Sequence, residues 1–589
     1  MAFNAAQQEA IDADGNLSIL APPGSGKTGT LVAKAARVLR EKPNAVVYLV
    51  TFTDAATKEL DHRLRNALNA DQYRRTVTAT FHKHLMTQLR AANMLPKLIY
   101  PPEAATMLQR AIVACNRKMT IEEAQRELEA AKMAETFTGD ESDLIENYEQ
   151  QKRRHRAIDL LDVVRLAVSK MKDGSLPPVR GTHIFTDEYQ DTDQMQLDWL
   201  LMHERQGLEI TVVADDDQTI YSFRRALGYE GLMRFEQRTQ ARRVLLEINY
   251  RSRSEILAVA AALIRNNIQR VPKTMLSAKG AGGKVFTKAV AGAEQEAALI
   301  ANAVIADTEQ DDDGTYRPAE GRWAVICRNN AGLHMVAAEM RARGIAYLRV
   351  AGRDKLPDMA RILCQILNSI QTGEALGIEA ALTTAGVSDM AIRHLQDAYE
   401  DEAPATIHSA HTTNLFRLLD GEIPADMGNI PPEEVKTIKS LARVGRAWRA
   451  RTAEGFYVDV INGVAEWLRD FTKEHQLRDL EFWAQKLREG RGSLSSRTKR
   501  ALDYQPPKDS NAVMLHTMHS SKGLEFDRVV IIGCNHGTIP SSKATSIEEE
   551  RRLLFVAITR AREELTLTYS AATSKSPFLN EIAAPALAA

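Results

Sequence analysis

Residues Ala21-Pro22-Pro23-Gly24-Ser25-Gly26-Lys27-Thr28 stand between a short apolar run, Leu17-Ser18-Ile19-Leu20-Ala21, and a stretch from Thr28 to Arg40. That stretch places Leu31, Ala35, Val38 and Leu39 on one helical face. A glycine-rich turn ending in Gly-Lys-Thr between a strand and a helix is the arrangement of a phosphate-binding loop. Glycines 24 and 26 let backbone N–H groups turn inward around phosphate oxygens, and the following helix adds its positive end. In such a loop Lys27 meets the β- and γ-phosphates and the Thr28 hydroxyl ligates Mg²⁺. Ala21 stands where the strict pattern has its first glycine.

Outward from this loop, short apolar runs at 46–51, 76–81, 182–187, 210–214 and 244–248 alternate with helical stretches. The alternation predicts a doubly wound, mostly parallel sheet. Residues 88–175 contain no convincing strand and read as a helical insertion carrying the basic run Lys152-Arg153-Arg154-His155-Arg156. The α/β pattern restarts near residue 280, with runs at 285–290, 323–327, 347–350, 513–518, 529–533 and 565–569. A second helical stretch occupies 356–508. The expected architecture is α/β: two parallel-sheet domains, each interrupted by a mainly helical insertion.

Composition limits the function classes. The 589 residues suffice for several domains, with 44% hydrophobic and 26% charged residues, as in an ordinary globular protein. Cys115, Cys327, Cys364 and Cys534 are far apart, so neither a disulfide framework nor a zinc knuckle is indicated. No run is long and apolar enough for a membrane span, the first residues lack a secretory core, and a cytoplasmic location is expected. With 76 Lys+Arg against 77 Asp+Glu, bulk charge does not by itself argue for a nucleic-acid partner.

Phe185-Thr186-Asp187-Glu188-Tyr189-Gln190-Asp191 follows a hydrophobic run. A carboxylate at a strand end can hold Mg²⁺ and its neighbour can orient and deprotonate an attacking water. Asp187 is assigned to the metal and Glu188 to the water. Combined with the phosphate loop, the pair points to an NTPase.

Further motifs say what the energy is for. Asp187-Glu188-Tyr189-Gln190-Asp191-Thr192, Ala214-Asp215-Asp216-Asp217-Gln218-Thr219-Ile220-Tyr221-Ser222-Phe223-Arg224 and Asn249-Tyr250-Arg251-Ser252 resemble helicase motifs II, III and IV of the UvrD/Rep/PcrA family of superfamily 1. His519-Ser520-Ser521-Lys522-Gly523-Leu524-Glu525-Phe526 resembles motif V. Glu549-Glu550-Arg551-Arg552-Leu553 with Ile558-Thr559-Arg560-Ala561 resembles motif VI. Thr51-Phe52-Thr53 and Thr80-Phe81-His82 are similar to motifs Ia and Ib, and Phe3-Asn4-Ala5-Ala6-Gln7 to the Q motif. All occur in family order.

The resemblance implies an ATP-dependent 3′→5′ DNA helicase or translocase with two RecA-like motor domains. Motor domain 1A would occupy 1–87 and 176–279, insertion 1B 88–175, motor domain 2A 280–355 and 509–589, and insertion 2B 356–508. The implied ATP site comprises Gln7, residues Ala21 to Thr28, Tyr250, Arg251, Glu525 and Arg560. In it Gln7 reads the adenine, Tyr250 stacks on the base, Glu525 contacts the ribose or the nucleotide-side hinge, and Gln218 senses the γ-phosphate. Arg251 and Arg560 are the implied γ-phosphate arginines, beside Lys27, Asp187 and Glu188. The implied track for single-stranded DNA is Thr51, Phe52, Thr80, Phe81, His82, Tyr221, Phe223, Arg224, Thr517 and His519, combining base stacking with polar contacts. ATP and Mg²⁺ are the implied ligands, and 3′-tailed duplex the implied substrate. A nuclease, repair or defence protein is the implied kind of partner for the 2B-like insertion. Ala214, Arg225, Asp54 and Ala55 depart from the family's commoner residues. Since the total charge is near zero, strand binding is expected along a narrow track and not over a broad basic surface.

Overall fold

The computed structural model describes residues 3–132, 137–221, 226–312, 314–349, 358–401, 414–428, 430–472, 474–502 and 511–586. The chain folds as two compact units. One takes in Met1–Leu95, Leu161–Arg353 and Asp509–Ala589, the other Pro96–Leu160 and Asp354–Lys508.

The first unit holds two six-stranded sheets. In the first sheet the strands are β1 (Leu17–Leu20), β2 (Val47–Thr51), β3 (Thr76–Thr80), β4 (His183–Thr186), β5 (Glu209–Ala214) and β6 (Arg242–Leu245). Their spatial order is β3-β2-β4-β5-β1-β6, and every pairing is parallel. Leu17 lies opposite Thr211 on one side and Arg242 on the other, which seats β1 between β5 and β6. Strands covered on both faces read as unbroken apolar runs, and every residue of β1 and β4 is buried. Leu31 and Val38 of helix Lys27–Glu41 pack with Ile19, Leu49, Phe185 and Val213 in this core.

The second sheet contains β7 (Lys284–Val290), β8 (Trp323–Cys327), β9 (Tyr347–Arg349), β10 (Val513–Thr517), β11 (Phe526–Ile531) and β12 (Ala561–Ser570). Its order is β7-β12-β11-β8-β10-β9, again all parallel. The strand expected at 565–569 begins four residues earlier. Its first turn of sequence, Arg562-Glu563-Glu564, is polar because these side chains make ion pairs with Glu525, Arg253, Lys279 and Arg528. Pairing of Phe526 with Ala561 holds that polar start in the sheet.

The second unit is mainly helical. Its larger core gathers Leu363, Leu367, Ile392, Leu441, Val464 and Leu487 from five helices. The expected absence of strands in 88–175 is corrected in one detail: Lys97–Leu98 and Ala157–Ile158 form a two-residue parallel ladder. The ladder is too short to leave a periodic signal. Helices Pro101–Ala114 and Leu376–Thr384 meet through a buried ionic cluster. Arg110 pairs with Glu379 and, at 2.8 Å, with Asp389, while His155 Nε2 lies 3.4 Å from Glu379. Burial works to raise the Glu379 pKa, but Arg110 and then His155 hold it down at about 2.

The basic run Lys152–Arg156 is not a uniformly exposed patch. Lys152 is buried between Glu149 (2.8 Å) and Asp159 (3.4 Å), beside a second buried ammonium, Lys132. Among the described residues no helix is long and apolar enough to cross a membrane.

Candidate active site

Most of the sequence-expected residues of the first sheet follow the carboxyl ends of its strands, where the crevice of an open parallel sheet lies. The loop Ala21 to Gly26 follows β1, Asp187 and Glu188 follow β4, and Asp215 to Gln218 follow β5. Asn249 to Arg251 come after β6. From the second sheet, Glu525 and Arg560 immediately precede the paired residues Phe526 and Ala561, so they lie at one end of β11 and β12. The Phe526 N–H donates to the Arg560 carbonyl at 2.8 Å.

Gly24 (φ 69°) and Gly26 (φ 82°) both take left-handed backbone conformations. Gly26 caps helix Lys27–Glu41 with no side-chain acceptor and no acid in the first turn, which leaves its N–H groups for an anion. The loop is braced from two sides. Asn249 Nδ2 donates to the Pro23 carbonyl (2.5 Å), and Tyr250 N donates to the Gly24 carbonyl (2.8 Å). On the other side Gln7 Nε2 donates to the Ser25 carbonyl (3.1 Å), while Gln7 Oε1 accepts from Asn4 N (3.0 Å) in a helix-capping box. Asn4 Nδ2 reaches the Tyr250 hydroxyl at 2.9 Å. Gln7 and Tyr250 therefore flank the loop together, with the Tyr250 ring 40% exposed.

Across the loop, Lys27 Nζ stands 3.8 Å from Glu188 Oε1. Glu188 has a left-handed backbone (φ 53°, ψ 38°), a strained conformation for a non-glycine residue. Its N–H donates to its neighbour's Asp187 Oδ1 at 2.9 Å. Burial, then the adjacent Glu188 charge, pushes the Asp187 carboxyl up to about 6. Burial also works to raise Glu188, but Lys27 and Lys522 hold it below the usual carboxylate range. Two adjacent carboxylates, with the Thr28 hydroxyl in the first turn of the neighbouring helix, are a donor set that suits a hard divalent cation.

Arg560 is 1% exposed and has no carboxylate within hydrogen-bonding reach among the described residues. It donates to the carbonyls of Val556 (2.8 Å) and Leu524 (3.1 Å), the Thr559 hydroxyl (3.1 Å) and Gln218 Oε1 (2.9 Å). Burial and then the neighbouring Arg251 lower its hold on its proton, yet a guanidinium stays charged at neutral pH. A buried cation of this kind awaits an anion. Arg251 Nε donates to Glu525 Oε2 at 2.6 Å, and Arg562 Nη2 to Glu525 Oε1 at 2.5 Å. Glu525 thus bridges two arginines: burial works to raise its pKa, and Arg251 leads the groups that hold it near 2.

The strand-contacting set divides. Phe52 is half-buried, with its ring 6.0 Å from Phe81. Phe81 is only 1% exposed and packs edge-on against Trp199 at 5.4 Å, so its expected stacking on a base is corrected to a core role. Thr51 is buried, its hydroxyl 2.6 Å from that of Thr57. Thr80 caps helix Phe81–Ala91, and Thr517 Oγ1 accepts from Ser520 N. His82 is partly exposed. Tyr221 lies in irregular chain, 6.4 Å from the His519 ring. Burial lowers the His519 pKa to about 4, so this ring is neutral at pH 7 and offers an N–H instead of a charge. Phe223 and Arg224 lie outside the described residues.

Residues 3–240 match the UvrD/REP helicase N-terminal domain, and residues 244–356 and 454–572 match the UvrD-like helicase C-terminal domain. The chain belongs to the UvrD/Rep helicase family. It is 28% identical over 627 residues to the DNA helicase II of Salmonella typhimurium, covering 96% of this chain and 84% of that protein. It is 24% identical to the ATP-dependent DNA helicase Rep of Buchnera aphidicola from Acyrthosiphon pisum (97% and 95% covered). It is 27% identical to the ATP-dependent DNA helicase PcrA of Leuconostoc citreum (96% and 81%). As a member of this family the chain is an ATP-dependent DNA helicase.

Within this helicase fold the structure adds residues that the motif reading passed over. Lys522 Nζ donates to Asp191 Oδ2 (2.6 Å) and the Gln218 carbonyl (3.1 Å), and stands 3.9 Å from Glu188. The same ammonium sits 5.1 Å from the Tyr221 ring centre. Asn249 organises the turn by accepting from Arg251 N and Ser252 N, each at 2.8 Å. Both residues lie inside quoted motifs, but a polar side chain buried in a motif has no periodic signature of its own.

Proposed function

We propose that ATP binds at the loop Ala21 to Thr28 and that its γ-phosphate is met by Lys27, Gln218, Arg251 and Arg560, driving 3′→5′ movement along single-stranded DNA. The observation that carries this reading is Arg560, a buried guanidinium without a carboxylate, held against Gln218 and within one cluster of Lys27 and Glu188. Gln7 and Tyr250 offer an amide N–H and a ring face to the purine. Glu525 bridges Arg251 and Arg562 and so sets where Arg251 points. Glu188, kept ionised by Lys27 and Lys522, accepts a proton from the attacking water.

Thr28 and Asp187 would hold Mg²⁺, which supplies charge neutralisation at the phosphates. The guanidinium of Arg560 neutralises negative charge that grows on the transferred phosphoryl group. ATP joins residues that come from the ends of both sheets, so binding and release change how those ends are held together. We assign the sheet of β1–β6 to motor domain 1A and that of β7–β12 to 2A. Phe52, His82, Tyr221 and His519 form the proposed strand track in the first unit. A soluble, cytoplasmic protein acting on 3′-tailed duplex, in repair or replication, is the setting that fits this chemistry.

The test is strand displacement on 3′-tailed and 5′-tailed duplexes by the wild type and Lys27→Ala. Displacement of the 3′-tailed duplex alone, and loss of DNA-stimulated ATP hydrolysis by at least about 10³-fold in the variant, are expected. Retained turnover in a folded Lys27→Ala protein would refute the site.

A further inference from the structure

Asp215, Asp216 and Asp217 are at most 1% exposed. Three consecutive carboxylates cannot stay ionised in the interior without counter-charge. It comes from Arg270-Val271-Pro272-Lys273, the segment between helix Ser254–Ile264 and the two-residue strand Leu276–Ser277, outside both six-stranded sheets. Lys273 Nζ lies 2.6 Å from Asp216 Oδ1, 2.7 Å from Asp217 Oδ2 and 3.5 Å from Asp215 Oδ1. Arg270 clasps Asp217 with two bonds of 2.9 and 2.8 Å, and Val271 N donates to Asp216 Oδ2 at 2.6 Å.

Two cations thus face three carboxylates, and Asp215 has the longest of the three contacts to the Lys273 ammonium. Its Oδ1 has no hydrogen-bond partner among the described residues. Its Oδ2 accepts from Gln218 Nε2 at 2.7 Å. Burial raises the Asp215 pKa above the usual carboxylate value, and Lys273 is the largest charge working against that rise. An ionised carboxylate can only accept. As an acceptor, Asp215 Oδ2 takes the Gln218 NH₂ at 2.7 Å, which turns Oε1 toward Arg560 Nη2 at 2.9 Å. Reversing the amide would set its NH₂ against the guanidinium and its oxygen against the carboxylate.

We propose that Lys273 is a positioning residue for ATP hydrolysis: by holding Asp215 in place as an acceptor, it fixes the orientation of the Gln218 amide and ties the chain between the two sheets to the γ-phosphate response. Lys273 touches no substrate; it acts through Asp215 and Gln218. The inference rests on the proposed reading of Gln218 and Arg560 as γ-phosphate ligands. Lys273 Nζ also takes the place between the Asp215–Asp217 oxygens where a cation would otherwise be gathered.

The experiment compares wild type, Lys273→Met, Lys273→Arg, Asp215→Asn and Gln218→Ala in the full chain. Two quantities are read: DNA-stimulated ATPase kinetics, and the affinity ratio between ADP with beryllium fluoride, a γ-phosphate mimic, and ADP alone. Expected for Lys273→Met is a fall in kcat of about tenfold or more, with KM for ATP and ADP affinity within about twofold of wild type. The preference for the beryllium fluoride complex should collapse as it does in Gln218→Ala, and Lys273→Arg should recover most of it. Should Lys273→Met fail to fold, Asp215→Asn, which frees the amide to reverse, is expected to give the same kcat-selective loss. If Gln218→Ala loses the preference while Lys273→Met and Asp215→Asn keep it, the inference is overturned and the site reading stands. Parallel losses of kcat, KM and ADP affinity in Lys273→Met would equally overturn it, as a merely structural role. If Gln218→Ala itself leaves the preference intact, the underlying assignment of Gln218 fails.

Discussion

Arg560 shows how one side chain can carry more functional information than its sequence position suggests. A lone arginine after a helix is usually a solvated surface residue, and only the surrounding motif marks this one. The structure gives the physical reason. The guanidinium is 1% exposed, and its four described acceptors are the neutral oxygens of Val556, Leu524 and Thr559 and the Gln218 amide oxygen. Desolvating a cation without a counter-anion costs several kcal/mol unless another function requires it. The terminal phosphate of ATP, a dianion when fully ionised, would supply that charge from the adjoining loop. Replacing Arg560 by Lys keeps the charge but loses the planar fork, so the acceptors at Leu524 and Gln218 cannot both be met. Arg560→Lys and Arg560→Ala are therefore both expected to lower kcat for ATP by about 10³-fold or more. Thermal stability should be unchanged or raised in Arg560→Ala, because a buried unpaired charge is removed. A kcat within about threefold of wild type in Arg560→Lys, measured by steady-state hydrolysis with saturating single strand, would contradict a role for the fork.

The phosphate loop is the element where local sequence and remote packing agree most closely. Its glycines were legible as turn formers, and the structure shows a second constraint on each. A Cβ on Gly24 would stand 2.6 Å from Arg251 Cβ and 2.9 Å from Asn249 Nδ2, in a backbone conformation that already disfavours side chains. A Cβ on Gly26 would stand 2.7 Å from Gln7 Nε2. Gly24→Ala is accordingly expected to weaken ATP binding by at least about tenfold and to destabilise the first unit by about 1–3 kcal/mol. Equilibrium nucleotide titration and chemical denaturation would check both. Gly26→Ala should bind ATP better than Gly24→Ala, because a flexible amide end can move more easily than a Cβ and a carboxamide fixed by three bonds. The strands around the loop were equally readable: β1, β2, β4 and β8 are buried throughout or nearly so, and such strands print unbroken apolar runs. What escaped the sequence was whatever depends on partners distant in the chain. The polar start of β12 is held by Phe526, the two-residue ladder of the second unit is too short for periodicity, and Phe81 is covered by Trp199 from 118 positions later. Lys152 reads as part of a basic surface until Glu149 and Asp159 are seen to enclose it.

At the scale of the whole molecule, acidic and basic residues nearly cancel, so stability against pH depends on which groups are buried and not on net charge. Burial lowers five imidazoles of the first unit, His84, His183, His203, His516 and His519, from the usual value near 6.5 to about 4. Each is neutral in the folded chain and takes up a proton on unfolding between those two values. Their contribution to stability is present above pH 6.5 and is lost as pH falls toward 4. Three buried carboxyls act in the opposite sense. Asp187, Asp191 and Asp193 are pushed up from 3.8 to about 6, chiefly by burial, so in that window they bind protons when folded and release them on unfolding. Asp215 is raised in the same sense, while Glu379 and Glu525, held at about 2, take up protons on unfolding and add to the loss in acid. The nucleotide-free protein is therefore expected to lose stability as pH falls from 6 to 4.5. Mg²⁺ and ATP should steepen this loss, because a cation at Asp187 removes one of the opposing groups by keeping it ionised when folded. Urea denaturation at half-unit pH steps, with and without Mg²⁺ and a non-hydrolysable ATP analogue, measures both slopes. A flat profile between pH 6 and 4.5 would mean that the imidazoles are hydrated in the folded state. A shallower slope with nucleotide would place the cation away from Asp187.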